Sequence, residues 1–190
     1  KIYEDVFKQI GVIRARSLRD LLDFARGVPI LPTPKGENIV IITGAGGSGV
    51  LLSDACVDNN LTLMPMPEDL DAAFRKFIPP FGAAGNPVDI TGGEPPLTYK
   101  NTVLLGLSDP RIHALILGYW HTIVTPPMVF AKIMVEARDE MRAKGIDKPI
   151  VASLAGDVEV EEAAQYLYEH GIPAYAYSTE IPVAVLGAKY

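Results

Sequence analysis

Apolar residues follow two alternating patterns along this chain. From Asn38 onward, short apolar runs alternate with longer segments whose apolar positions recur every three or four residues. A short run bounded by turn residues predicts a strand buried on both faces, and the wider spacing predicts a helix that packs one face. The first run, Asn38-Ile39-Val40-Ile41-Ile42-Thr43, is rich in β-branched residues and is followed by Gly44-Ala45-Gly46-Gly47-Ser48-Gly49 and a helical pattern through Asp58. Further strands are predicted over 62–64, 113–119, 149–154 and 174–177. Helices are predicted over 67–77, 95–107, 126–144 and 159–170, and Thr179-Glu180 opens a final one. Gly145 and Gly171 stand where helix-ending glycines belong.

The first 36 residues read differently. Val6, Phe7 and Ile10 have helical spacing before Gly11, and Val12-Ile13-Arg14 is a short extended piece. Ser17 and Asp20 form a helix start with a partner three residues on, and Leu18, Leu21, Leu22 and Ala25 give that helix an apolar stripe before Gly27. Pro29-Ile30-Leu31-Pro32-Thr33-Pro34 is a proline-rich connector. Two units are therefore expected: 1–36, a helical tail with its connector, and 37–190, the main domain. Each parallel strand pairing needs a crossover, which the helices supply. The expected fold is α/β: a doubly wound, mostly parallel, flavodoxin-like sheet of about five strands with helices on both faces, plus a short helical N-terminal extension.

Composition narrows the function. The chain has 190 residues, 48% of them hydrophobic, and a net charge of -6, and its 17 basic residues do not cluster. That disfavours nucleic-acid binding. No apolar run is long enough to span a bilayer, so no membrane role is expected. The single cysteine, Cys56, cannot form an intrachain disulfide and fits a reducing, cytoplasmic compartment; its helical setting points to the core. The chain starts at Lys1 without an initiator methionine, as a piece of a larger protein would.

In a doubly wound sheet, ligands sit beyond the carboxyl ends of the strands, here the loops after Thr43, Ile90, Tyr119 and Leu154. Gly44, Gly46 and Gly49 have the G-x-G-x-x-G spacing of dinucleotide sites, but the acidic residue expected some 20 positions on is replaced by Leu63-Met64-Pro65-Met66. No phosphate loop of the G-x-x-x-x-G-K-[ST] type is present. A helix start with free backbone N–H groups still attracts an anion, and glycine lets a bound group approach the backbone. Tight strand-to-helix packing is the alternative use of these glycines. A second constellation, Gly85-Asn86-Pro87-Val88-Asp89-Ile90-Thr91-Gly92-Gly93, either lines the same edge or forms an Asx turn with a helix cap. His113, His121 and His170 have no metal-ligand spacing, and no metal site is expected.

These residues resemble the NDP-forming acyl-CoA synthetases, which are ADP-forming acetate–CoA ligases related to succinyl-CoA synthetase. Thr43-Gly44-Ala45-Gly46-Gly47-Ser48-Gly49-Val50 is similar to the family's T-N-A-G-G-P-G-V, and Gly85-Asn86-Pro87-Val88-Asp89-Ile90-Thr91-Gly92 to its G-N-P-V-D-L-T-G. Ser108-Asp109-Pro110-Arg111, Lys148-Pro149-Ile150-Val151-Ala152-Ser153 and Phe7-Lys8-Gln9-Ile10-Gly11-Val12-Ile13-Arg14 match D-P-x-V, K-P-V-x-A-S and F-x-Q-A-G-V-I-R. The resemblance implies a second ligase domain preceded by the tail of the first. It implies an enzyme that makes a thioester from a carboxylic acid and coenzyme A with ATP, through an acyl phosphate and a phosphohistidine. That histidine lies in an S-H-T-G motif which this chain does not contain, so no catalytic residue is expected within it.

The resemblance also implies coenzyme A, ATP/ADP and Mg as substrates or cofactors of the whole enzyme, none held tightly here. CoA-binding and ATP-grasp domains would lie in cis or in another subunit of an oligomer. Gly44, Gly46, Gly47, Ser48 and Gly49 are then expected to cradle phosphate. Asn86, Asp89, Thr91, Trp120 and His121 are expected to face the carboxylic acid or acyl phosphate. Gly44 replaces the family's asparagine and Ser48 its proline; the serine either strengthens anion binding or caps the helix. The readings left beside this one are a regulatory CoA- or acyl-binding domain of a protein acetyltransferase and a mononucleotide-binding flavodoxin-like module.

Overall fold

The computed structural model describes residues 2–190. In chain order the elements are α1 (Ile2–Gln9), α2 (Leu18–Gly27), a 3-10 turn (Val28–Ile30), β1 (Ile39–Thr43), α3 (Gly46–Asp58), α4 (Glu68–Phe74), β2 (Val88–Asp89), α5 (Pro96–Ser108), β3 (Ala114–Trp120), α6 (Pro127–Ala143), β4 (Ile150–Ala155), α7 (Glu159–Glu169), β5 (Ala174–Ala176) and α8 (Glu180–Gly187). The strands form one parallel sheet in the order β2-β1-β3-β4-β5, the flavodoxin-like order. The expected fold class is therefore the observed one.

Alternation along each strand divides the apolar residues between two cores. Val40 and Ile42 of β1, Leu115 and Leu117 of β3, and Ile150, Ala152 and Leu154 of β4 face the layer of α4, α5, α6 and α7. Ile39 and Ile41, Ala114 and Ile116, and Val151 face the layer of α3 and α8. Both faces are covered, which is why these strands read as continuous apolar runs. Cys56 is buried in the second core, as its helical setting suggested. Gly145 and Gly171 have φ of 78° and 82°, the left-handed backbone of a helix-ending glycine.

Three local readings need correction. Residues 62–64 do not form a strand; they contribute a single bridge, Leu63 with Ile39. The edge beside β1 belongs to β2, which pairs Ile42 with Val88 and Thr43 with Asp89. The helix predicted to run through Phe77 ends at Phe74. The stripe Leu18, Leu21 and Leu22 lies exposed, because the opposite side of α2 docks. There a Cβ on Gly27 would lie 2.4 Å from the Tyr175 hydroxyl and 2.5 Å from Val185, and that hydroxyl donates to the Asp23 carbonyl at 2.9 Å. The start of α2 is as read: Asp20 N donates to Ser17 Oγ at 3.0 Å.

Candidate functional site

The carboxyl ends of the three central strands are level, since Thr43 pairs with Asp89 on one side and Gly118 on the other, and Gly118 pairs with Ser153. The chain leaving β1 turns at once. Ala45 N donates to Thr43 Oγ1 at 3.0 Å, and Gly44 N donates to Gly118 O at 3.0 Å. Gly118 makes this turn possible: a Cβ there would lie 2.6 Å from Thr43 Oγ1 and 3.1 Å from Leu52. The turn sets Ala45 in extended backbone ahead of α3, with no side-chain cap. The first hydrogen bond of the helix runs from Gly49 N to Ala45 O. The N–H groups of Gly46, Gly47 and Ser48 thus belong to the uncapped first turn, where the helix dipole concentrates positive potential. Ser48 stands inside this turn and does not cap it.

The four loop glycines separate into two groups. Gly46 and Gly47 are exposed, and a Cβ on Gly47 would meet nothing within 4 Å. Gly44 and Gly49 are buried and serve close packing. A Cβ on Gly49 would meet Thr43 at 3.0 Å and Pro87 at 3.4 Å, and one on Gly44 would lie 1.8 Å from the Tyr99 hydroxyl.

β2 supplies the next wall. Asp89 Oδ1 accepts from Thr91 N at 2.9 Å, and Oδ2 would lie 2.7 Å from a Cβ on Gly46. A carboxylate therefore stands beside the open turn. Thr91 has a φ of 65° and a buried hydroxyl with no hydrogen-bond partner among the described residues. The left-handed backbone costs a β-branched residue about 1–2 kcal/mol. Asn86 is not at this edge. Its Oδ1 accepts from Ile41 N at 3.0 Å, and its Nδ2 donates to Ile39 O at 2.8 Å and Met64 O at 3.0 Å. The amide completes the ladder of β1 between the Leu63 bridge and β2, so its polar atoms are already committed to backbone. This division of the edge explains why 62–64 forms no longer strand.

The loop after β3 brings Trp120, 53% exposed, and His121. His121 N donates to Ala155 O at 2.8 Å, and His121 Nε2 lies 3.4 Å from the Glu159 carboxylate. With Thr122, Ile123, Gly156 and Asp157 they line an open hollow of about 450 Å³. The walls meet at Gly92, where a Cβ would lie 3.3 Å from Gly44 O and 3.7 Å from Thr122. The structure thus gathers the glycine turn, Asp89 and Thr91 around one point, with the Trp120–His121 hollow adjoining through Thr122, and leaves Asn86 behind them.

Tyr99 completes the cluster, and its sequence setting marked it only as one apolar position of a helix. It is 3% exposed, with its ring 5.3 Å edge-on to Phe130 and 6.2 Å from Tyr119. Its hydroxyl lies over Gly44 with no hydrogen-bond partner among the described residues and, unlike the Thr91 hydroxyl, it is open to solvent. Burial raises its pKa well above the usual phenol range, with Tyr119, Asp89 and Glu94 adding to the effect, so it remains a protonated donor at neutral pH. Tyr119, by contrast, donates to Thr125 O at 2.6 Å. Thr125 in turn donates from Oγ1 to Glu94 O at 2.9 Å, tying the loop after β3 to the segment that precedes α5.

Comparison with known proteins agrees with this architecture. A family model described as the Ligase-CoA domain matches residues 39–190. The alpha subunit of acetate–CoA ligase [ADP-forming] I from Pyrococcus furiosus is 38% identical over 190 residues, covering all of this chain and 40% of that protein. A 4-hydroxybutyrate–CoA ligase [ADP-forming] from Nitrosopumilus maritimus is 27% identical over 183 residues, covering 94% of this chain and 25% of that protein. Acetyl-coenzyme A synthetase 1 of Ca. Korarchaeum cryptofilum, solved in complex with phosphate and ADP, superposes with a TM-score of 0.90 at 36% identity, covering 100% of this chain and 40% of that one. The chain spans well under half the length of these relatives.

Proposed function

This chain belongs to the Ligase-CoA domain family, and we propose that it is one ligase domain of a larger, cytoplasmic, ADP-forming acyl-CoA ligase. That enzyme joins a carboxylic acid to coenzyme A with ATP through an acyl phosphate and a phosphohistidine. Residues 1–36 are the tail of a preceding ligase domain with its connector, and residues 37–190 are the domain proper. The CoA-binding and ATP-grasp domains, and the histidine that carries the phosphoryl group, lie elsewhere in the same chain or in another subunit of an oligomer.

One observation carries this reading: the open, uncapped first turn of α3 stands at the point where the loops after β1, β2 and β3 converge. The N–H groups of Gly46, Gly47 and Ser48 would meet the phosphoryl oxygens of the visiting phosphohistidine. Fixed donors and a helix dipole stabilise its negative charge without covalent chemistry and without reorganisation during transfer. Gly44 and Gly49 hold the turn in shape, and Asn86 secures the strand behind it. Asp89 adds a like charge beside the cradle, which keeps a group in transit from being held too tightly. Trp120 and His121 line the acyl side. The relatives above are named for acetate and for 4-hydroxybutyrate, and in this reading the loop after β3 distinguishes such acids.

Among the described residues no three His, Cys, Asp or Glu side chains converge as a metal site. The Mg that accompanies the nucleotide would be held with it in the nucleotide-binding part of the enzyme.

The test is incubation of the full-length protein with γ-labelled ATP. An acid-labile phosphohistidine should form, and adding the carboxylic acid with coenzyme A should discharge it. Absence of a labelled protein would contradict the reading.

A further inference from the structure

We infer that Tyr99 is a substrate-binding residue whose hydroxyl donates a hydrogen bond to the carbonyl oxygen of the acyl group. This inference rests on the ligase reading above and assigns the acyl side of the same site. Its basis is an unpaired donor held in a fixed position. Phe130 and Tyr119 clamp the ring on α5, so the hydroxyl has little freedom to turn elsewhere. It overhangs Gly44, where a Cβ would lie 1.8 Å from it, and no described residue accepts its hydrogen bond. The ring is buried while the hydroxyl at its tip stays open to solvent, so a bound group can reach a donor that no side chain has taken. The buried, unpartnered hydroxyl of Thr91 lies in the same cluster. The Thr91 carbonyl oxygen would lie 3.3 Å from a Cβ on Gly44.

The position of the hydroxyl identifies the missing acceptor. It lies over Gly44, ahead of the Gly46, Gly47 and Ser48 donors and beside Gly92, where a Cβ would lie 3.3 Å from Gly44 O and 3.7 Å from Thr122 on the side of the hollow. A group that spans the first turn of α3 and the hollow passes this point with its acyl carbonyl. The same geometry separates the two halves of an acyl phosphate: the phosphoryl end lies on the first turn of α3, and the acyl carbonyl lies over Gly44, towards the Trp120–His121 hollow.

Tyr99→Phe in the full-length enzyme removes the donor and keeps the ring packing. The expected result is a loss of about 10- to 100-fold in kcat/KM for the carboxylic acid, with ATP-dependent phosphoenzyme formed at the wild-type level and an unchanged melting profile. A kcat/KM within twofold of wild type would overturn the inference. So would a phosphoenzyme yield that falls in step with turnover, because the hydroxyl would then serve the phosphoryl group. A wild-type enzyme that forms no phosphoenzyme would instead remove the ligase reading itself. A second measurement needs no variant. Acetyl phosphate labelled with ¹³C at the carbonyl, bound to the wild-type enzyme, should show a carbonyl stretch at lower frequency than in water, and a stretch at higher frequency would overturn the assignment.

Discussion

Replacing Gly47 by Asp should leave the protein folded and slow phosphoryl transfer by at least about 100-fold. The two halves of this expectation have separate physical causes. Gly47 is exposed, a Cβ there would meet nothing within 4 Å, and it lies in the first turn of α3. A carboxylate in the first turn of a helix is favourable by about 0.3–1 kcal/mol. The melting temperature should therefore hold or rise slightly. The same carboxylate would occupy the positive potential that the phosphoryl group needs and would repel the dianion on arrival. Stopped-flow discharge of the labelled phosphoenzyme by carboxylic acid checks the rate, and calorimetry checks the fold. Gly47→Asn separates charge from bulk, and most of the activity should return with it. A Gly47→Asp enzyme of normal rate would show that the phosphoryl group visits some other donor set.

The second large effect is on stability. Gly118→Ala should destabilise the domain by about 1–3 kcal/mol, the usual range for overpacking a close-packed interior. Gly118 is buried in the central strand, and its new Cβ would press on Thr43 Oγ1 at 2.6 Å, Thr43 Cβ at 3.0 Å and Leu52 at 3.1 Å. None of these is the free end of a flexible chain, since Thr43 is fixed by its own hydrogen bond with Ala45 and Leu52 lies in the core. At this chain length each kcal/mol lowers the melting temperature by about 2–4 °C. Gly85→Ala is the matched control. A Cβ there would meet nothing within 4 Å, and the change should stay within about 0.5 kcal/mol. Thermal melts of the two variants side by side test the assignment. Gly118→Ala should also reduce turnover, because displacing Thr43 shifts the start of α3.

The strands that could be read in advance were those buried on both faces. Residues 39–43 and 114–120 are apolar runs because α-helices cover each side, and such runs are hard to mistake. β2 was not legible as a strand, since it holds only Val88 and Asp89. Residues 62–64 looked more strand-like, yet the edge they would have used is taken by the Asn86 side chain. Nothing in a sequence shows that an amide will stand in for a strand. The apolar stripe of α2 is visible as a pattern, but which side of the helix docks is set by Gly27 against Tyr175 and Val185, a contact 148 and more residues distant in the chain.

The site shows the same limit. The glycine turn was visible because glycine and a helix start leave a local signature. The separation of its residues into Gly46 and Gly47 outside and Gly44 and Gly49 inside depends on Asp89, Pro87 and Tyr99, which only the fold brings near. Asp89 and Thr91, expected from their place between a proline and two glycines, lie beside the turn, whereas Asn86, from the same motif, works on β1. Tyr99 left no trace, since an aromatic residue at helical spacing reads as core and its ring is indeed core.

The most direct test is a structure of the full-length enzyme trapped after incubation with ATP. The phosphoryl oxygens should lie at hydrogen-bond distance, about 2.7–3.1 Å, from the backbone nitrogens of Gly46, Gly47 and Ser48. A phosphohistidine bound against other donors, with the first turn of α3 facing bulk water, would contradict the account.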